Sequence, residues 1–337
     1  MGKTFKPSLG LDCRALRARN DEICFTCSQT RLAYDSHMTN KDKRHDEQMS
    51  VAIHKNFLLS FALELFKMLK KILHFMQLSL LISGLLSVSA CHQRENPHQI
   101  RLGTISGPET ELMQVAKQVA QRDYGLKIKI IEFSDYSLPN RALNDGSLDA
   151  NLFQHQAFLS DEIHNHGYPL VAIAKEFIYP MAIYSVKIQH LNALKPHAIV
   201  AIPNDPSNEA RALLLLNQAG LVTLDTHKGT LMTPADILHN PKQLDIKELD
   251  AAQLPRVLAD VDLAVINANY AALAHLYPQQ NALFSEGRHS TYANLLVIKA
   301  SAKNNPKFIN LIKAIHSPEV LAAADKLFHG SAIPAWK

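Results

Sequence analysis

Beyond residue 91 this sequence contains no cysteine. That stretch has no disulfide framework, so its stability must come from a packed core. About 245 residues suffice to bury one, shared between two lobes. No basic block is present either. Residues 1–91 carry 13 Lys+Arg against 8 Asp+Glu, a net of +5, whereas residues 92–337 carry 22 against 23, a net of −1. The near-neutral remainder argues against nucleic acid as a partner. The longest apolar run, about 17 residues from Ile72 to Val88, is broken by Ser79, Ser83 and Gly84, short of the ~20 residues that span a bilayer. No G-x-S-x-G, P-loop or zinc-protease motif occurs, so nothing points to an enzyme. With 47% hydrophobic and 20% charged residues, the composition is that of an ordinary globular protein.

What is present begins with a leader. Lys70 and Lys71 precede the apolar run Leu78 to Val88, and the small residues Ser89 and Ala90 then lead to Cys91. Positive patch, apolar stretch and small residues form the layout of a secretory signal peptide, and a cysteine directly after them resembles a bacterial lipobox. Residues 68–90 are therefore expected to be a lipoprotein signal peptide. Cys91 would be the lipidated first residue of the working protein, and 91–99 a polar tether. The chain would be held by lipid to a bacterial membrane and face the periplasm or cell exterior. Residues 1–67 read as an upstream extension; were they translated, the apolar stretch Phe57 to Phe66 could join the later run as an uncleaved anchor.

Metal chemistry has little support. Cys24 and Cys27 have the two-residue gap of zinc and redox motifs, but no second pair follows, and the spacing to Cys13 and His37 is not diagnostic. The 17 histidines are scattered after Cys91, with only His164 and His166 closely spaced, whereas a zinc receptor needs three or four converging ligands. No metal or cofactor is expected.

From Ile100 onward, strands and helices alternate. Strands are expected at Ile100–Ile105, Ile128–Phe133, Ala150–Phe153, Ile199–Pro203, Ile246–Leu249, Leu263–Asn267 and Asn294–Ile298. A helix should open at Pro108, with Glu109 and Glu111 in its first turn complementing the helix dipole. Others are expected at Leu138–Leu143, Gln156–His166, Asn208–Gln218, Pro306–Ile315 and Pro318–Phe328. This alternation predicts α/β layers around mostly parallel sheets. Leu170 to Val186, broken by Pro180, breaks the rhythm and could cross between lobes, and Phe284 to Asn294 is a candidate return. The expected lobes are 100–180 plus 292–337, and 181–291, with a site in the cleft.

Several segments carry a more specific resemblance. They are Phe133 to Asn140, Asp149 to His155, Phe177 to Pro180, Ala201 to Arg211, Leu254 to Arg256, Ala264 to Asn267 and Tyr292 to Leu295. In these segments, which appear in order and span about 100–337, the chain resembles the NlpA family of lipoproteins. The resemblance implies a type II-like periplasmic binding protein of two α/β lobes. It also implies a receptor that binds methionine and serves an ABC importer, with permease and ATPase subunits as partners and no cofactor of its own. Paralogues for another small amino acid or a methionine peptide, and a surface lipoprotein acting as adhesin or antigen, are the alternative readings.

The resemblance also assigns roles. Arg211 would clamp the ligand carboxylate, since a guanidinium offers a planar fork to that group, with free amides of the helix start near Asn208 adding to anion binding. Read alone, Arg211 could equally be a solvated helix residue. Asn267 and Asn294 would hold the polar head through their amides; read alone, they would be turn or capping residues. Tyr136, Phe153, His155 and Tyr179 would line an aromatic box for the thioether, which packs well against ring edges. Asp205 and Glu209 are best explained by a capping role near the helix start.

Overall fold

The computed structural model describes residues 49, 51, 54–55, 58–77, 98–225 and 231–336. The chain divides into two compact units, Met1–Gln93 and Arg94–Lys337. In the first, residues 58–77 are helical and exposed, and the helix continues through Met68. Among the described residues no helix is long and apolar enough to cross a membrane. Cys13, Cys24, Cys27, His37, Cys91 and the tether up to residue 97 lie outside the described residues.

The second unit starts with strand β1 (Gln99–Ile105), followed by α1 (Pro108–Tyr124), β2 (Lys127–Phe133), α2 (Pro139–Asn144), β3 (Ala150–His155), α3 (Gln156–His166) and β4 (Leu170–Ile178). Next come β5 (Ala182–Tyr184), β6 (Ile199–Pro203), α4 (Pro206–Gln218), β7 (Thr223–Leu224), β8 (Ile237–His239), β9 (Asp245–Leu249), β10 (Leu263–Ile266), α5 (Ala268–Leu273), α6 (Pro278–Asn281) and β11 (Phe284–Ser285). The chain ends with β12 (Ala293–Lys299), α7 (Lys307–Ile315), α8 (Pro318–Leu327) and β13 (Ile333–Pro334).

Local chemistry sets many of these boundaries. Pro108 occupies the first turn of α1, and Gly125 closes it in the left-handed conformation at φ 62°. His155 accepts from the Phe158 amide to cap α3, which Gly167 ends at φ 66°. Asp205 accepts from the Asn208 amide to cap α4, confirming its expected capping role. The polar Gln99, expected in the tether, instead pairs with Lys127 in the first sheet; backbone pairing is indifferent to its side chain.

The first sheet has the order β13-β4-β12-β3-β1-β2 and the second β11-β5-β10-β6-β9, with β7 and β8 forming a small hairpin. The expected parallel pairing holds within the βαβ units: β1 with β2 and β3, and β6 with β9 and β10. Elsewhere the sheets are mixed rather than mostly parallel. β12 runs antiparallel to β3 and β4, and β5 antiparallel to β10 and β11. A helical crossover returns the chain to the starting end of a sheet. Strands that enter from between the sheets arrive at the opposite end, so β5 and β12 run against their neighbours.

The chain passes from the first sheet to the second through Tyr179, Pro180 and Met181, and back through residues 286–292. One core, including Ile100, Leu112 and Phe177, lies on the first sheet, and another, including Ile183, Val200 and Leu213, on the second. A third apolar cluster draws on both, joining Ile105, Phe153 and Phe158 to Ala201, Ile266 and Tyr270.

Gly107, just before α1, has φ 112° and ψ −147°, a conformation essentially restricted to glycine. A Cβ there would lie 2.7 Å from Cδ2 of Leu273 in α5. Gly107→Ala should therefore destabilise the protein by about 1–3 kcal/mol, read as a lower urea midpoint. An unchanged midpoint would show that this contact yields without cost.

Candidate functional site

Parallel strands in α/β sheets present their carboxyl ends, and the helix starts that follow, to one side. Here the two sheets turn these ends toward each other around a cavity. The end of β3 supplies Phe153, Gln154 and His155, and α3 adds Phe158. The second sheet contributes Asn208 and Arg211 from α4, and Asn267, Ala268 and Asn269 after β10. Tyr136, Tyr179, Asn294 and Glu109 complete the wall. All eight residues assigned from sequence therefore line one cavity.

Arg211 is more committed than the sequence suggests. Its Nε donates to Glu286 Oε1 at 2.8 Å, and its Nη2 to Glu286 Oε2 at 2.6 Å and to the Tyr179 carbonyl at 3.1 Å. Its guanidinium carbon lies 4.4 Å from the Tyr292 ring centroid. Burial works against the charge of Arg211, but Glu286 outweighs it, and the guanidinium pKa lies above its ordinary value. The expected fork for a ligand is thus occupied by Glu286. Among the described residues, the N–H groups of Nη1 are the ones left without a hydrogen bond.

The helix start next to it is not an open anion site either. Asp205 Oδ1 takes the Asn208 amide at 3.0 Å, and the Asn208 side-chain nitrogen donates to both Asp205 oxygens at 2.9 and 3.1 Å. An acidic cap already sits where an anion would bind.

That cap orients its neighbours. A carboxylate accepts, so Asn208 must turn its nitrogen toward Asp205 and its oxygen into the cavity wall. The oxygen meets His155 Nε2 at 3.1 Å and Asn267 Nδ2 at 2.8 Å. His155 Nδ1 accepts from the Phe158 amide at 3.3 Å, so its proton resides on Nε2. Burial, then the charge of Arg211, push the His155 pKa down to about 3, so it is neutral at physiological pH. Asn267 is left with its oxygen unpartnered.

Other polar groups also lack partners. Tyr136 donates to Asn269 Oδ1 at 2.7 Å, and Asn294 Nδ2 to Glu109 Oε1 at 2.6 Å. Glu109 Oε2, Asn267 Oδ1 and Asn269 Nδ2 are buried without a hydrogen bond. Such atoms carry a desolvation cost until something pairs with them. The unmatched set comprises two acceptors and one donor, beside the free N–H groups of Arg211.

The aromatic wall is tight. Tyr136 lies 5.9 Å from both Phe153 and Phe158, and Phe153 lies 5.6 Å from Phe158 between ring centroids. Phe158 was missed in the sequence, although an N-cap at His155 places it on the third helical residue, facing the same way. Tyr179 departs from the expected box. Its ring neighbours are Phe177 and Phe328, in the core of the first sheet, and its hydroxyl donates to Glu176 at 3.2 Å. Glu109, expected only as a first-turn acid that complements the helix dipole, is 2% exposed and reaches the cavity. Glu286 gave no signal, lying in the return crossing outside any recognisable element.

Comparison with known proteins decides the family. The NlpA lipoprotein family profile matches residues 100–336. The chain belongs to that family. A periplasmic substrate-binding protein of an ABC transporter from Coxiella burnetii superposes with a TM-score of 0.69 at 56% identity, covering 70% of this chain and 100% of that one. A nutrient-binding protein from Burkholderia cenocepacia, solved bound to methionine, gives a TM-score of 0.69 at 48% identity, covering 70% and 99%. The D-methionine-binding lipoprotein MetQ of Salmonella typhimurium is 44% identical over 256 residues, 75% of this chain and 94% of that protein. The two-lobed binding-protein fold read from the sequence is the fold these relatives share, and their names describe binding and transport rather than catalysis.

Glu176 offers a pH test of this buried region. Burial pushes its carboxyl up to about 8, above the ~4.3 of an unfolded chain. A raised carboxyl contributes its full stability below the unfolded value and loses it as pH rises through the folded one. Glu176→Gln should thus gain stability over the wild type between pH 5 and 8, reaching a few kcal/mol, and level off above. Urea unfolding across that range checks it; a difference independent of pH would place the Glu176 carboxyl in the ordinary range.

Proposed function

We propose that this protein is the lipid-anchored receptor of an ABC importer and binds methionine in the cavity between its sheets. The observation that carries the reading is the division of the cavity wall. One part holds Arg211, Asn267, Asn269, Asn294 and Glu109, several with unmet hydrogen-bonding capacity. Another holds the packed rings of Tyr136, Phe153 and Phe158 beside His155. An amino-acid head fits the first and a thioether the second, since sulfur packs favourably on ring edges. Arg211 meets the ligand carboxylate through Nη1 while Glu286 holds the rest of the guanidinium. Methionine-bound and methionine-named relatives support the choice of ligand.

In this reading the chain makes and breaks no bond. It captures the ligand as its lobes close and presents it to the permease, and ATP hydrolysis belongs to partner subunits. The lobes are 100–180 with 292–337, and 181–291, joined by the two crossings. Cys91 carries the acyl chains, and the body faces the periplasm or the cell exterior.

Two measurements test this. Calorimetry with a panel of amino acids should find methionine bound more tightly than norleucine by about 1 kcal/mol, the worth of sulfur–aromatic contact. Phe153→Ala should weaken methionine most, whereas Asn267→Ala should weaken every amino-acid ligand alike. Lysine or glutamate competing as well as methionine would remove the methionine assignment. Intact mass of membrane-extracted protein should show a chain beginning at Cys91 with added acyl mass; a chain retaining residues 1–67 in most molecules would exclude that processing.

A further inference from the structure

Among the described residues of the cavity wall, Glu109 is the one carboxylate. It is 2% exposed. Asn294 fixes Oε1 from β12, and Oε2 has no hydrogen bond. Among the described residues no lysine, arginine or histidine forms an ion pair with it. The positive group of the cavity, Arg211, is already matched by Glu286 at 2.6 Å. The groups that face Glu109 are acids and phenols: Glu176 and Tyr179 from the end of β4 and the crossing after it, Tyr136 after β2, and Tyr270 on α5. The phenol hydroxyls are engaged elsewhere, with Asn269, Glu176 and the Ser134 carbonyl.

A buried carboxylate without a counter-charge is costly, and it persists where a cation completes it. The second free acceptor, Asn267 Oδ1, lines the same cavity. An α-ammonium carries three N–H groups and a full positive charge, so it can meet both acceptors at once. We propose that Glu109 is the ammonium-binding residue of the site and that it restricts the ligand to compounds with a free primary amine on the carbon bearing the carboxylate.

The inference rests on the amino-acid reading above and extends it to a residue and a requirement. Charge balance favours the same conclusion. With Arg211 paired to Glu286, a ligand bringing only a carboxylate adds an unmatched negative charge to the cavity. A zwitterion adds none, and its ammonium sits beside an acid. Burial, then the neighbouring Glu176, hold the Glu109 carboxyl well above the carboxylate range, against the opposing bond from Asn294.

The test compares L-methionine with 2-hydroxy-4-(methylthio)butanoate, which keeps the thioether and carboxylate but replaces the amine with a hydroxyl. Calorimetry on the full chain should show the wild type preferring methionine about 100-fold or more, as expected for a buried charge-assisted contact. Glu109→Gln should weaken methionine by about 30- to 300-fold and move the hydroxy acid less than threefold. Equal losses for both ligands would make Glu109 a structural acid that merely holds Asn294, and no loss for either would remove it from the site. The wild-type comparison needs no variant: a hydroxy acid bound within threefold of methionine overturns the inference even if Glu109→Gln fails to fold. If another amino acid binds and methionine does not, the methionine assignment falls. The same comparison then runs on that amino acid and its hydroxy acid, with the same outcomes. If no amino acid binds, both readings fall together.

Discussion

The buried pair of Arg211 and Glu286 ties this molecule together. Desolvating two charges is expensive, and such a pair survives only with close geometry and its remaining groups satisfied. Residues of the two crossings supply the close geometry and satisfy the pair's other groups, apart from the Nη1 N–H groups that face the cavity. The Met181 amide donates to Glu286 at 3.0 Å and the Arg211 guanidinium to the Tyr179 carbonyl at 3.1 Å, both on the outward crossing. Ser290 donates to Glu286 at 3.2 Å and Tyr292 stacks under Arg211, both on the return. The side chain that faces the cavity from α4 is therefore the one that fixes where the chain passes between its sheets. The geometry of the site and that of the two crossings are a single arrangement.

A second order runs through the neutral polar groups. Asp205 caps α4 and turns Asn208; Asn208 then requires a proton on His155 Nε2 and a nitrogen from Asn267. Each donor has one direction available, so the wall is set before any ligand arrives. Groups already oriented lose less freedom on binding, which favours affinity.

How much of this was legible depended on where each signal lay. α3 and β6 match their expected bounds because His155, Gly167 and Pro203 mark the ends locally. The eight expected site residues meet in one cavity because the motifs containing them fall at strand ends and helix starts, where an α/β fold gathers its functional groups. Glu109 was hidden by a sufficient local explanation, since a first-turn acid suits a helix dipole whether exposed or buried. Its role depends on Asn294, 185 positions away. Glu286 stands in a loop without period or cap, and only tertiary pairing gives it meaning. The direction of β5 and β12 was equally out of reach, because alternating strands and helices report neighbours in sequence, not the end from which a crossing strand enters.

Burial of the ion pair also bears on the surroundings in which such a protein works. An exposed ion pair weakens as salt shortens the Debye length to about 10 Å or less, whereas a pair shielded by protein is screened far less. The side chains of Arg211 and Glu286 are 5% and 8% exposed, so mobile ions have little access to them. A chain that meets the fluctuating ionic strength outside the cytoplasm thus keeps its central electrostatic contact where salt has the least purchase.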